Sequence, residues 1–225
     1  MLVSVLGDSI STFEGFNPPG FAVFYDAERQ RLNGLNSVYD TWWAKVNQAL
    51  HAYLCVNNSF SGGKVSGTGF PAAFARVEYL SNESYIPDLI LLYIGYNDFG
   101  YGVKPCKEGI RFGRKKDTAV FEDAYQTMLE RIKEHYPSAL IVCGTLMKTC
   151  IRNNEAWAFP ERFAGYEFER YNQIIRKTAK QEKCLLADLA ACQLRYETLD
   201  GSHPTKQGHQ LLADAWIQRL NELGI

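Results

Sequence analysis

Val3-Ser4-Val5-Leu6-Gly7-Asp8-Ser9-Ile10-Ser11 is the stretch whose reading decides the fold. Val3 to Leu6 are apolar or β-branched apart from Ser4, as suits a buried central parallel strand. Gly7 breaks the run and lets the backbone turn tightly. Ser9 then falls just past the carboxyl end of the strand, where open α/β sheets bind their ligands. A serine there is either a nucleophile or a helix-capping turn residue. Residues elsewhere must decide between the two.

Outward from that turn, strand-like and helix-like stretches alternate. Asp40 is expected to cap a helix over 41–50, with Trp42, Trp43, Val46, Ala49 and Leu50 on its apolar face. Tyr53 to Val56 reads as a second strand, and it runs into the glycine-rich loop Asn57-Asn58-Ser59-Phe60-Ser61-Gly62-Gly63. A helix is expected over 71–80 on a weak pattern. Pro87 to Ile94 is the clearest buried strand, ending in Gly95-Tyr96-Asn97-Asp98. An irregular loop over 99–117 leads to an amphipathic helix over 120–136, with Ala124, Met128, Leu129 and Ile132 on one stripe. A strand over 139–145, a loop over 146–163, a helix over 166–180, a strand over 184–189, a loop over 190–204 and a helix over 206–223 complete the chain. Such alternation predicts right-handed parallel β-α-β units. The expected architecture is α/β: one domain over 1–225, a three-layer α/β/α sandwich with about five parallel strands.

Residues 12–39 form a long insertion without clear periodicity, which in a compact domain is usually functional. Phe13, Phe16, Phe21, Phe24 and Tyr25 surround its turn Asn17-Pro18-Pro19-Gly20. They either pack the loop onto the body or, with Phe13 and Phe24 as candidates, wall a substrate pocket beside Ser9.

Composition narrows the function. The 225 residues carry a formal net charge of −1, which gives no reason to expect a nucleic acid or an anionic membrane as partner. Arg114-Lys115-Lys116 reads as a solvated loop. No apolar run reaches the length of a membrane span, and no signal peptide is read at the N-terminus, so a cytoplasmic location is expected. The six cysteines make no C-x-x-C pair, and the four histidines show no zinc spacing with them. Free thiols and no metal are the expectation. The aromatic loops would serve equally for a homo-oligomer contact.

In a parallel sheet every strand-to-helix turn emerges on one edge. That edge collects Ser9, Gly62, Asn97 and the segment Asp200-Gly201-Ser202-His203-Pro204. A carboxylate three residues before a histidine, in a turn bent by glycine, can touch the imidazole and fix its tautomer. The other ring nitrogen is then left to take a proton from Ser9. The Gly62 and Ser9 backbone N–H groups and the Asn97 side chain are candidate donors to a developing oxyanion. Taken singly, Asn97 and Gly62 read as loop residues and His203 as the start of the last helix; together they supply the parts for ester hydrolysis. Asp8 is expected to brace the turn, and His209 to be structural.

These blocks resemble the SGNH, or GDSL, hydrolase family, in family order from Gly7-Asp8-Ser9-Ile10-Ser11 through Ser61-Gly62 and Gly95-Tyr96-Asn97-Asp98 to Asp200-Gly201-Ser202-His203-Pro204. The resemblance implies a flavodoxin-like fold, Ser9 as nucleophile, His203 as base, Asp200 as its partner, and an oxyanion hole of Ser9, Gly62 and Asn97. It also implies no metal and no organic cofactor. Tyr96 stands where the family usually carries a smaller residue, so a narrowed or aromatic pocket is expected, with Asp8 beside it. Family members act on acetylated sugars, lipids, thioesters and phospholipids. With loop aromatics suited to stacking on a sugar ring, an O-acetylated carbohydrate is the favoured small-molecule substrate, and a lysophospholipase or thioesterase the rival. A non-catalytic flavodoxin-like binding module is the other class. The absence of G-x-x-x-x-G-K-S/T and G-x-G-x-x-G runs counts against it. The G-x-S-x-G elbow of α/β-hydrolases is missing too, because Ser11 takes the place of its second glycine.

Overall fold

The computed structural model describes residues 1–107 and 115–225. Its centre is β1 (Leu2–Gly7), fully buried from Val3 to Gly7. Helices α1 (Ala27–Asn33) and α2 (Trp42–Ala49) lead to β2 (Tyr53–Asn57). Then come β3 (Leu89–Tyr93), the short helix α3 (Tyr96–Gly100), α4 (Phe121–His135) and β4 (Leu140–Gly144). Strand β5 (Lys148–Ile151) and the two-residue strands β6 (Arg162–Phe163) and β7 (Tyr166–Glu167) precede α5 (Phe168–Gln181). Strands β8 (Leu185–Ala187) and β9 (Arg195–Thr198) and helix α6 (Lys206–Glu222) close the chain.

The main sheet has five parallel strands in the order β2-β1-β3-β4-β8. This is the doubly wound order whose direction of winding reverses between β1 and β3, and the crevice at that reversal is where such sheets bind ligands. β3 reads as an unbroken apolar run, and β1 as one interrupted only by Ser4, because helices cover both faces. α2 packs with α6, joined by the stacked rings of Trp42 and Trp216 (5.3 Å). α4 packs with α5, which brings Phe121 against Tyr171 (5.0 Å). The fold is thus the α/β, flavodoxin-like architecture expected from the alternation of elements.

Several local expectations are corrected. Thr41, not Asp40, caps α2: its hydroxyl accepts from the Ala44 N–H (3.4 Å). Asp40 is committed elsewhere, accepting from the Asn36 N–H (2.7 Å) and pairing with Lys206 (2.9 Å). The stretch 71–80 is two 3-10 turns, Ala73–Ala75 and Val77–Leu80, instead of one helix. Arg76 separates them, its side chain turned inward to carbonyls of Pro71, Asn58 and Gly7. The insertion over 12–39 contains α1, capped by Asp26 and ended by Gly34. The stretch 146–163 holds β5, and 190–204 holds β9; the two pair in parallel as a separate small sheet. Residues 166 and 167 belong to a hairpin, so α5 begins at Phe168. Of the basic run 114–116, Arg114 lies outside the described residues, as does 108–114 of the expected loop over 99–117.

Candidate active site

Ser9 stands at the head of a 3-10 turn, Ser9–Ser11, directly after β1. Gly7 makes that turn possible by close approach: a Cβ there would lie 2.7 Å from the Ser11 Oγ and 2.8 Å from the Ser59 Oγ. Asp8 caps the turn, its Oδ1 accepting from the Ile10 N–H (3.0 Å). Its carboxyl is buried, with Oδ2 lacking a partner among the described residues. Burial raises its pKa to about 7, against the lowering effects of the Ile10 N–H and the Arg76 charge. Asp8 therefore braces the turn from below and does not line the cavity beside Ser9.

The Ser9 Oγ lies 2.9 Å from the His203 Nε2, and the His203 Nδ1 lies 2.7 Å from the Asp200 Oδ2. The other carboxylate oxygen accepts from the Ser202 N–H (2.9 Å) and the His203 N–H (2.8 Å). Partial burial pushes the Asp200 carboxyl up, but the His203 hydrogen bond and charge and the two amides outweigh it and hold it near 2. Asp200 is thus an ionised acceptor at neutral pH, and it directs the His203 Nε2 toward Ser9.

The small β5–β9 sheet carries this turn. The Thr149 hydroxyl donates to the Gly201 carbonyl (2.7 Å), the Gly201 N–H to the Thr198 Oγ1 (3.0 Å) and the Tyr196 hydroxyl to the Ser202 carbonyl (3.2 Å). Gly201 is required twice over: its φ is +88°, and a Cβ would lie 2.9 Å from the Trp157 ring.

On the other side of Ser9, the Asn97 Nδ2 donates to the Gly63 carbonyl (2.9 Å), which ties α3 to the glycine loop. An amide carries a second Nδ2 hydrogen beyond that one. Asp98, fully buried, accepts from the Val65 (2.7 Å) and Ser66 (3.0 Å) N–H groups. Its pKa is raised to about 6 by burial, partly countered by these bonds. The Gly63 N–H is used within the loop, on the Phe60 carbonyl (2.9 Å), which distinguishes it from the neighbouring Gly62 amide. Beneath both turns Arg76 joins Asn58, Gly7 and Pro71, and burial lowers its pKa to about 9.

A cavity of about 340 Å³ opens beside Ser9 and His203. Its walls include Tyr96, Phe99, Trp157, Phe159 and Phe163. Tyr96 is held in an aromatic cluster with Phe168 (5.5 Å), Tyr93 (6.3 Å) and Tyr196 (6.4 Å). Phe13 and Phe24, read as pocket candidates, do not line it. Phe13 is buried against Phe16 (5.9 Å), and Phe24 stacks on the His203 ring (3.4 Å, 8° between planes). The walls come instead from Tyr96, as expected, and Phe99 on α3 and from the segment after β5, whose spacing carries no signal in the sequence; nor did any pattern single out Arg76, Thr149 or Tyr196. His209 is buried and accepts from the Trp42 N–H (3.2 Å), a structural position; burial lowers its pKa to about 3. Among the described residues no group of three or more His, Cys, Asp or Glu could hold a metal ion, and no helix is long and apolar enough to cross a membrane.

Hydroxyl, imidazole and carboxylate in one hydrogen-bonded line, at the carboxyl edge of a doubly wound parallel sheet, are the arrangement of a serine hydrolase. A family model described as GDSL-like Lipase/Acylhydrolase matches residues 1–158, more than half of the chain. The chain belongs to that family, whose members are carboxylic ester hydrolases.

Solved structures agree in fold. A GDSL-like lipase structure from Bacteroides ovatus superposes with a TM-score of 0.75 at 24% identity, covering 98% of each chain. An active-site mutant of a family two carbohydrate esterase from Clostridium thermocellum superposes with a TM-score of 0.60 at 18% identity, covering 99% of this chain and 64% of that one. A multidomain esterase from Ruminococcus flavefaciens is 22% identical over 226 residues, covering 97% of this chain. This chain spans only 24% of that relative's length.

Proposed function

We propose that the chain is a serine esterase in which Ser9 is the nucleophile, His203 the general base and acid, and Asp200 the residue that orients it. The observation that carries this reading is the unbroken line from the Ser9 Oγ through both His203 nitrogens to the Asp200 carboxylate, at 2.9 and 2.7 Å. Ser9 attacks the ester carbonyl while the His203 Nε2 takes its proton. The oxyanion is met by the Ser9 and Gly62 N–H groups and by the Asn97 hydrogen not spent on Gly63. His203 then returns the proton to the leaving alcohol, and water repeats the cycle on the acyl-enzyme. One domain over 1–225 carries this machinery, since Asp200 and His203 lie beyond the residues matched by the family model.

The favoured substrate is an O-acetyl group on a carbohydrate. The half-buried Trp157 and its aromatic neighbours give a ring-stacking wall beside the serine, in a cavity whose volume suits a small ester. A carbohydrate esterase among the structures of like fold favours the same class.

Ser9→Ala should abolish turnover of short p-nitrophenyl esters and labelling by a fluorophosphonate. Undiminished turnover in that variant would end the proposal. Comparing acetylated xylose with long-chain p-nitrophenyl esters and acyl-CoA tests the substrate class; preference for a long acyl chain would favour a lysophospholipase, and preference for acyl-CoA a thioesterase.

A further inference from the structure

The imidazole of His203 is held from a third direction that the hydrogen-bonded line does not use. Phe24 lies flat on one face of the ring, with 3.4 Å between centroids and 8° between planes. Its own backbone is tied to the serine turn: the Phe24 N–H donates to the Thr12 Oγ1 (2.9 Å), and that hydroxyl donates to the Ser9 carbonyl (2.9 Å). The next residue is tied to the histidine turn, where the buried Tyr25 hydroxyl donates to the Pro204 carbonyl (2.7 Å). The Tyr25 carbonyl accepts in turn from the Glu14 N–H (3.1 Å) and the Gln30 side chain (2.8 Å). Two adjacent residues of the insertion therefore grip both halves of a pair of residues 194 positions apart.

We propose that Phe24 is a positioning residue for His203, and that Phe24-Tyr25 is a clamp holding the imidazole in register with Ser9. The proposal rests on His203 acting as the base. In the two-step cycle the Nε2 must serve two oxygens in turn, that of Ser9 and that of the leaving alcohol or incoming water. A ring anchored only through Nδ1 can swing about that bond. Phe24 closes one face, so the swing is confined and partners reach the Nε2 from the cavity side. An aromatic face also favours the imidazolium that forms after proton transfer. The Arg29 guanidinium lies over the same phenyl ring at 5.0 Å; with the imidazole on one face, it takes the other. Its pairing with Asp26 (2.6 Å) offsets the positive charge it would otherwise present.

The test compares Phe24→Leu, which keeps apolar bulk but loses the flat face, with Phe24→Tyr, which keeps it. Phe24→Leu should lower kcat on p-nitrophenyl acetate by about ten- to a hundredfold, the range a small misplacement of a reacting group produces. KM should stay within about threefold of wild type, and fluorophosphonate labelling of Ser9 should slow in parallel with kcat. Phe24→Tyr should retain kcat within about threefold. The ring-current shift of the His203 Hε1 proton, assigned with His203→Gln, should be present in wild type and Phe24→Tyr and lost in Phe24→Leu. If the leucine variant does not fold, Phe24→Met carries the same expectations.

A leucine variant with wild-type kcat, a loss confined to KM, or a tyrosine variant as impaired as leucine would overturn the proposal. A wild-type protein that neither hydrolyses esters nor labels at Ser9 would remove the esterase reading and this role with it. In that case the His203 proton shift would still report whether the stack exists.

Discussion

Asp8 and Asp200 each steady one end of the Ser9–His203 pair, yet Asp8 is 1% exposed and the Asp200 side chain 47%. Around Asp8 the site is built from buried charge: Arg76 and Asp98 are both fully buried, Arg76 binding the Gly7 and Asn58 carbonyls and Asp98, beside Asn97, binding the Val65 and Ser66 amides just after the glycine loop. Around Asp200 it is built from a wet turn, hung on the small β5–β9 sheet by hydroxyls and pressed by Trp157 and Phe24. Desolvation moves Asp8 and Asp98 up to about 7 and about 6, whereas hydrogen bonds hold Asp200 near 2. The difference teaches that the groups proposed as oxyanion donors are fixed by the core, while the histidine proposed as the base is fixed by lighter contacts at the rim.

Four substitutions can break or sharpen that contrast. The largest effect is expected for Arg76→Met, which leaves several buried carbonyls unpaired and should cost about 3–5 kcal/mol in denaturant unfolding. A loss under about 1 kcal/mol would mean that the core side is held no more firmly than the rim. Asn97→Ala should lower kcat by roughly a hundredfold or more, in the range of other oxyanion-hole deletions; a change below about threefold would show that Asn97 points elsewhere.

Asp8→Asn tests the desolvated carboxyl through pH. A carboxyl whose folded pKa is raised binds its proton more tightly when folded, so its contribution to stability falls as pH rises from the unfolded value toward about 7. The asparagine variant lacks that decline. Its stability relative to wild type should therefore rise by about 2–3 kcal/mol between pH 5 and pH 8. A flat difference would mean that Asp8 is not desolvated. The smallest effect should be that of Asp200→Asn, with kcat down about ten- to a hundredfold because Phe24 and Ser9 still hold the half-buried imidazole. A loss near ten-thousandfold, as at a buried triad carboxylate, would erase the distinction between the two sides.

What the sequence reveals follows the same division. Unbroken apolar runs such as Leu89–Tyr93 and glycines at strand ends announce the sheet and the turns on its edge. Chemical type then marks out serine, asparagine and the Asp–His pair. The rest is hidden for physical reasons. Lys148–Ile151 and Arg195–Thr198 pair with each other and not with the main sheet; the first does not alternate, and the second, Arg-Tyr-Glu-Thr, alternates over only four residues, too short a run to announce a strand. Arg76 has the side chain of a surface residue and is buried only because carbonyls from three separate segments converge on it. The aromatics of 12–39 carry the composition of a pocket wall, but which ring faces the cavity depends on loop geometry that no local pattern encodes. Asp40 satisfies the capping preference as well as Thr41 does, and a distant lysine, Lys206, tips the balance.

The cavity wall has a consequence of its own. Trp157, Phe159 and Pro160 sit on the one excursion between β5 and the β6–β7 hairpin and Phe163 on the hairpin itself, whereas Tyr96 and Phe99 flank Asn97 on α3. Much of the wall is thus set apart along the polymer from the proposed nucleophile and base, while Tyr96 and Phe99 tie the rest of it to Asn97. Under the proposed function, changes within that excursion would recast much of the wall while leaving the Ser9–His203–Asp200 line in place.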